Sequence, residues 1–344
     1  MDHDTQFDRS CAALIGMAIG DALGMPSQTL TRQEIQQHYG TITEFTAPFD
    51  DHPVSHGLEA AQVTDDTEQS LLLARRLIAD HGQIVETAWA RDLLDWEADI
   101  RARGLRDLLG PSSKAALDKI LAGAPPSETG KHGTTNGAAM RIAPIGIANP
   151  VSPQEAFLDQ VEMACRMTHN TGEAIAAAAA VATTISGGIS GQCFEDTLEH
   201  AVAAAKTGQQ RGYHEGAPDM ADRLSRALSL AEAGLPAEKF ADEVGTSVHS
   251  RHSIPAAFGI VRLANGDPWQ ATVIAANIGD DTDTIGAIAG AMAGACSGLK
   301  SFPPEQVRTI RAANDLPVED IVRGLLNLRH IRAQAALENP EVVT

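Results

Sequence analysis

Aromatic side chains are scarce in this chain. They make up 4% of its 344 residues, with two tyrosines and three tryptophans. Strands favour aromatic and β-branched side chains, so a core with so few aromatics argues against sheets. The apolar share is nonetheless 43%, near the globular average, which excludes general disorder. The core must then come from Ala, Leu, Ile and Val, a composition suited to closely packed helices.

Basic residues are also few. Lys and Arg number 26 against 45 Asp and Glu, a formal charge of −19. Such a balance repels a phosphate backbone and argues against nucleic acid as a partner. Small anionic substrates remain possible, because a metal ion or a helix N-terminus reverses the field locally. The four cysteines, Cys11, Cys165, Cys193 and Cys296, are far apart and form no Cys-x-x-Cys pair. They read as reduced, buried residues of a cytosolic protein, not as a disulfide frame or zinc site. The acidic start, Met-Asp-His-Asp, has no signal-peptide pattern. The longest apolar runs, 174–181 and 285–296, are too short to span a bilayer. A cytoplasmic protein with no membrane partner is expected.

What is present is helical periodicity. Leu71, Leu72, Leu73, Leu77 and Ile78 form one stripe, and Trp89, Leu93, Leu94 and Trp96 form another. Segments 174–185, 197–206, 220–233 and 318–336 also read as helices. The best strand candidate is short, Thr41-Ile42-Thr43-Glu44-Phe45. Pro and Gly punctuate the segments, and no solenoid-like repeat stands out. At ordinary helix lengths the chain holds roughly fifteen helices. One all-α domain over residues 1–344 is expected. Two irregular stretches, 40–63 and 123–137, are long for a compact domain and are candidates to close over a substrate.

The chemistry concentrates in acidic motifs. Thr64-Asp65-Asp66-Thr67 precedes the 71–78 stripe, so a helix should begin within it. A plain N-cap would explain one Thr or Asp there, but two adjacent acids flanked by two Thr exceed that need. Asp280-Asp281-Thr282-Asp283-Thr284 precedes a run of small apolar residues from Ile285 to Gly294. A helix so apolar is buried, and carboxylates at its mouth would be protonated or paired with a hard cation. Mg²⁺ and Mn²⁺ favour oxygen ligands of this type. Together the motifs bring four or more carboxylates, which two cations a few ångströms apart would neutralise. A third feature, Gly20-Asp21-Ala22-Leu23-Gly24, places a lone acid in an apolar stretch. It reads either as a helix C-terminus capped by Gly24 or as support for the metal site.

These motifs, in this order, resemble the ADP-ribosylglycohydrolase family, which includes the dinitrogenase-reductase-activating glycohydrolases. The matching pieces are 20–24, 64–67, the loop 133–144 (Gly-Thr-Thr-Asn-Gly-Ala-Ala-Met-Arg-Ile-Ala-Pro), Thr168-His169, and 281–284 with its Gly/Ala helix. The resemblance implies a compact orthogonal multi-helix bundle and a hydrolase cleaving a ribosyl N- or O-glycosidic bond. It implies two divalent ions, Mg²⁺ or Mn²⁺, held by Thr64, Asp65 and Asp66 on one side. Asp281, Asp283 and Thr284 hold them on the other, with Asp283 the bridge. Asp65, Asp66, Asp283 and Gln28 would be the catalytic set, with a metal-activated water as nucleophile. Asp21, Gly133, Thr135, Asn136, Gly137, Met140 and His169 would bind substrate, and backbone N–H groups of 133–137 would hold phosphates. On the residues alone, Asn136-Gly137 reads equally as a turn and His169 as a core histidine.

Two positions depart from the family pattern. Gln28 stands where many members have Glu, and glutamine can hydrogen-bond but cannot act as a base. Asp280 stands where many have Gly. The nominal partner is ADP-ribose linked to a small molecule or protein side chain. Smaller nucleoside-like N-ribosides, or ADP-ribose binding with weak catalysis, are the alternatives. Phosphate-ester hydrolysis fits less well, for want of a Lys or Arg clamp beside the acids.

Overall fold

Glycine decides how the central helices meet. In the computed structural model, which describes residues 2–105, 109–214 and 216–338, the N-terminal helix α1 (His3–Gly24) lies antiparallel to α15 (Thr282–Ser297). Gly16 faces Gly290, Gly20 faces Gly286, and Gly24 faces Thr282. A Cβ added at Gly20 would stand 1.9 Å from the carbonyl oxygen of Gly286. The two backbones therefore touch directly, and the C-terminus of α1 is locked beside the N-terminus of α15.

Between them run α2 (Arg32–His38), α3 (Asp65–Ala79), α4 (Glu86–Ala102), α5 (Pro111–Leu121), α6 (Gly137–Met140), α7 (Ala143–Ala148) and α8 (Gln154–Cys165). There follow α9 (Gly172–Ile189), α10 (Phe194–Gly208), α11 (Met220–Glu232), α12 (Ala237–Val244), α13 (Ser250–Leu263) and α14 (Pro268–Ala276). Helices α16 (Pro304–Ala313) and α17 (Val318–Glu338) close the order. The described residues contain no strand, only two isolated bridges, Thr135 with His249 and Thr171 with Tyr213. The all-α expectation and the six helices read from periodicity hold. The ends of the predicted domain, residue 1 and residues 339–344, lie outside the described residues.

Most of the core is one continuous cluster, in which α9 is buried along its whole length. Its Ala-rich sequence allows neighbours on every side. By length and composition α1 and α9 are apolar enough to cross a bilayer, which corrects the reading from apolar runs, but the apolar 18-residue window of each is wholly buried inside the protein. Residues 41–45 form no strand. Ile42 exchanges its backbone N–H and C=O with the side chain of Asn277 instead, at 2.9 and 2.8 Å. All four cysteines are free, but Cys193 is exposed at the start of α10, whereas the other three are buried as expected.

Candidate active site

Three helix ends converge: the C-terminus of α1 and the N-termini of α3 and α15. Asp21 joins the first two. It is fully buried, and its carboxylate accepts hydrogen bonds from the backbone N–H and hydroxyl of Thr64 and from both groups of Thr67. These bonds cap α3 from another helix. Thr64, the N-cap residue, makes no capping bond with its own side chain. Asp65 and Asp66 are thereby released from the capping duty that an isolated acidic N-terminus would impose. Asp21 stands behind the site as its support, not in the groove.

Asp66 joins α3 to α15. Its Oδ2 lies 3.5 Å from the Thr64 hydroxyl and 3.4 Å from the Thr284 hydroxyl. Its Oδ1 is buried with no hydrogen-bond partner. The Thr64 hydroxyl gives its proton to Asp21 at 2.7 Å, so only lone pairs remain on the side facing Asp66. Asp283 is buried beside them and accepts from the Thr284 N–H at 2.9 Å.

Burial raises the pKa of every acid here. It lifts Asp281 to about 7 and Asp21 to about 6, the latter restrained by Thr67 and Thr64. Asp65, Asp66 and Asp283 are pushed well above the carboxylate range, first by burial and then by one another and by Asp21 and Asp281. The donors are all hard oxygens, the set that suits Mg²⁺ or Mn²⁺. An unpartnered Asp66 oxygen and a Thr64 oxygen with only lone pairs to offer fit a cation. Among the described residues no three His, Cys, Asp or Glu side chains are closed up as a finished metal cage. Carboxylates repelling one another do not close up unaided, and Thr64 and Thr284 supply part of this donor set.

Asp65 and Asp281 are each 8% exposed and are the acids of the cluster most open to solvent. Both are held from behind. Gln69 donates to Asp65 Oδ2 at 3.1 Å and accepts from Arg141 at 3.0 Å. Arg141 is fully buried, and burial lowers its pKa to about 10. It donates onward to Thr168, whose hydroxyl meets His169 Nδ1 at 2.7 Å. His169 Nε2 meets the Thr135 hydroxyl at 3.1 Å. One hydrogen-bonded chain therefore runs from the first acidic motif to the 133–137 loop. His169 is completely buried with both ring nitrogens engaged, and burial together with Arg141 keeps it neutral. It braces Thr135 instead of lining the groove.

Asn136 has a similar place. Its Nδ2 donates to Asp281 and to Ser253 Oγ, which orients the second acidic motif. The loop around it is tied to α13. Asn136 N–H donates to Val248 O at 2.9 Å, Ser250 N–H to Thr134 O at 3.1 Å, and Ser250 Oγ to Thr135 O at 2.8 Å. The N–H groups of Gly133, Thr135 and Asn136 are thus already spent, on Gly130 O, Ser112 Oγ and Val248 O, and the phosphate role expected of them is not supported. Gly133 and Gly137 have no room for a side chain, since a Cβ would press on the Thr168 backbone and the His169 ring. Met140 is buried, and its carbonyl faces Ser70 Oγ at 3.4 Å.

Asp280 stays outside the cluster. Its side chain is exposed and its backbone is left-handed, with φ of 68°, a conformation natural to glycine and tolerated by Asp. It clasps the 27–30 turn, accepting from Thr29 N–H at 2.6 Å and donating to Leu30 O at 2.8 Å. Sequence reasoning did not single out Gln69, Arg141, Ser253 or Ser27, whose hydroxyl meets Thr282 Oγ1 at 3.0 Å. Only Gln69 had a local signal, four residues beyond Asp65 on one helix face.

Residues 2–335 match the family model described as ADP-ribosylglycohydrolase. The uncharacterized protein YegU of Escherichia coli (strain K12) is 34% identical over 94% of this chain and 98% of its own. The ADP-ribosylarginine hydrolase Tri1 of Pseudomonas putida (strain GB-1) is 27% identical over 88% of this chain and 74% of its own. A solved ADP-ribosylglycohydrolase-related protein complex shares the fold, with a TM-score of 0.69 at 24% identity over 94% of this chain and 99% of that one.

Proposed function

This chain belongs to the ADP-ribosylglycohydrolase family, and from that premise we propose that it cleaves the glycosidic bond of ADP-ribosylated substrates at a site that holds two Mg²⁺ or Mn²⁺ ions. The observation carrying the reading is Asp66. It reaches Thr64 on one side and Thr284 on the other and keeps one buried oxygen unpartnered. Thr64, Asp65 and Asp66 would hold the ions from α3, and Asp281, Asp283 and Thr284 from α15. Such ions supply Lewis acidity and charge compensation when bound.

The protein's own residues then have defined tasks. Cleavage at a ribosyl C1″ passes through a state with oxocarbenium character, and the carboxylates would offset the charge of the ions they hold, so that no net positive charge faces it. Gln69 and Asn136 fix the accessible edges of Asp65 and Asp281, where a ribose diol would dock. The remaining acids are nearly closed to bulk water, so the charge they present is little screened.

Purified protein with Mg²⁺ is expected to release ADP-ribose from ADP-ribosylarginine or an ADP-ribosylated serine peptide, and no base from simple nucleosides. Chelation should abolish turnover and added Mg²⁺ or Mn²⁺ restore it. Full activity after exhaustive chelation would sink the metal assignment. Base release from nucleosides alone would move the substrate to smaller N-ribosides, and ADP-ribose binding without turnover of any substrate would make the chain a binding protein.

A pH dependence follows from the raised carboxylates. A folded-state pKa above the unfolded value contributes stability at low pH that is lost as pH rises through the folded value. For Asp281 that window runs from the ordinary carboxylate range up to about 7. A cation must displace those protons, so it binds better as pH rises. The increase in melting temperature caused by a fixed Mg²⁺ concentration is therefore expected to be larger near pH ~8 than near pH ~5. An increase independent of pH would contradict protonated acids as the binding group.

A further inference from the structure

Positive charge gathers on α17. Residues 321–336 hold three arginines, one histidine and no acid, in a chain of formal charge −19. This stretch and the first turns of α1 border a cavity of about 710 Å³, whose lining includes His3, Phe7, Arg323, Asn327, Arg329 and His330. Arg329 is 5% exposed. Its Nη1 and Nη2 donate to carbonyl oxygens around the C-termini of α7 and α9, Asn149 O at 2.6 Å among them, and to the hydroxyls of Ser186 and Ser190. All these acceptors are neutral. Burial lowers the pKa of Arg329 to about 10, and no acid counters it. Its last donor, Nε–H, has no acceptor among the described residues but is not sealed from solvent, so it opens to the cavity that Arg329 lines.

Other donors border the same space. Arg323 lies 5.5 Å over the Phe7 ring and spends only Nη1, on Asp320 at 2.9 Å. His330 Nε2 accepts from the Gln334 amide at 2.9 Å, which leaves the neutral ring its Nδ1–H. At the start of α1 the Asp2 side chain takes the Thr5 N–H, and the N–H groups of His3 and Asp4 have no acceptor among the described residues. Asp4 is the single acid in the lining, against two arginines. From Phe7 to Asp21 a helix advances about 21 Å, so the cavity stands well away from the acid cluster.

We infer that this cavity is a second binding site, one for a small organic phosphate, whose phosphate meets Arg329 Nε, Arg323 and the α1 N-terminus and whose organic part lies along Phe7, Leu326 and Ala333. Guanidinium groups and the open N–H groups of a helix start are the donors that suit a phosphate. The half-buried Phe7 and Ala333 and the buried Leu326 give the cavity an apolar wall, which a bare anion leaves unused. The volume falls in the range of roughly 300–1,000 Å³ that small-molecule sites occupy. The acids of the active site take no part, so the inference stands apart from the function proposed above.

The test is calorimetry of the full chain with Mg²⁺, using phenyl phosphate and inorganic phosphate as probes. Arg329 also ties the ends of α7 and α9, so its removal endangers the fold, and two more open positions are varied instead. Asn327→Glu sets a negative charge at an exposed edge of the cavity, and Ala333→Trp fills it. Wild type is expected to bind one phenyl phosphate, and inorganic phosphate about tenfold more weakly, the ring burying apolar surface that the bare anion lacks. Each variant should weaken phenyl phosphate by about tenfold or more, with its melting temperature and its turnover of ADP-ribosylarginine as in wild type. Asp283→Asn, altered at the acid cluster, should bind phenyl phosphate as wild type does. No saturable binding, or binding that survives both Asn327→Glu and Ala333→Trp, overturns the inference. Binding lost in Asp283→Asn places the phosphate at the active site and overturns it as well. Equal affinity for the two probes overturns the assignment of an organic phosphate. None of these outcomes touches the proposed function, which fails only on the turnover and chelation measurements given above.

Discussion

Replacing Asp66 by Asn is expected to reduce turnover by about 10³-fold or more, at the upper end of what removal of one stabilising group costs, and to leave the cation-free protein at least as stable as before. The pairing of these outcomes is the informative part. Asn copies the shape of Asp66, so packing is unchanged. The charge that disappears is one that Asp65 and Asp283 oppose and that burial disfavours. Oδ1 has no partner to lose, and Oδ2 has only long contacts with Thr64 and Thr284. A residue kept for folding would behave in the opposite way, because removing a satisfied buried charge leaves its partners unpaired and costs several kcal/mol. Turnover is measured with Mg²⁺, and melting temperature with a chelator present. Wild-type turnover, or a loss of several degrees in the chelated protein, would show that Asp66 is not held in a costly state for function.

Asp21 illustrates the contrast within the same cluster. It carries the same side chain and is as deeply buried, but both its oxygens are engaged by Thr64 and Thr67. Its raised pKa comes first from burial and is held down by those bonds. Asp65, Asp66 and Asp283 lack such relief and are raised further by their neighbours. Satisfaction of the carboxylate separates a group that builds the site from groups that act in it.

The sequence made the site's outline legible because its signals were local. Paired acids ahead of the Leu71–Leu77 stripe and ahead of the 285–294 small-residue run had to sit at helix N-termini, and both do. The scarcity of aromatics pointed to all-helical packing for a reason the glycine contacts make concrete. What was illegible depended on partners distant in the chain. The direction of the Asn136 amide is set by Asp281 and Ser253, and His169 is turned inward by Thr168 and Thr135. Residues 41–45 alternate like a strand, yet Asn277 satisfies Ile42 before any second strand can. The partner that caps α3 was equally out of reach of local pattern. Thr64 looks like its own cap, whereas Asp21, far earlier in the chain, supplies it.

Gly20→Ala is expected to destabilise the protein by about 3 kcal/mol or more, against the usual ~1 kcal/mol gain in helix propensity for Gly to Ala. The added Cβ would lie 1.9 Å from the carbonyl oxygen and 2.2 Å from the carbonyl carbon of Gly286. Both are backbone atoms of a buried helix, so no side chain can rotate away, and relief requires α1 and α15 to separate. Separation would not stay local. At the adjoining contacts, Gly16 with Gly290 and Gly24 with Thr282, an added Cβ would also meet backbone, at 2.3 and 2.4 Å, and the helix pair carries Asp21 at one end and Asp283 opposite it. Moving α1 outward withdraws Asp21 from Thr64 and Thr67 and opens the distance from Asp66 to Thr284. The variant should therefore lose denaturant stability and, where it still folds, lose most of the Mg²⁺-dependent rise in melting temperature. Urea unfolding with and without Mg²⁺ measures both. A Gly20→Ala protein as stable as wild type would mean that the helices can part at little cost, and the close glycine contact would then not be what brings the two acidic motifs together.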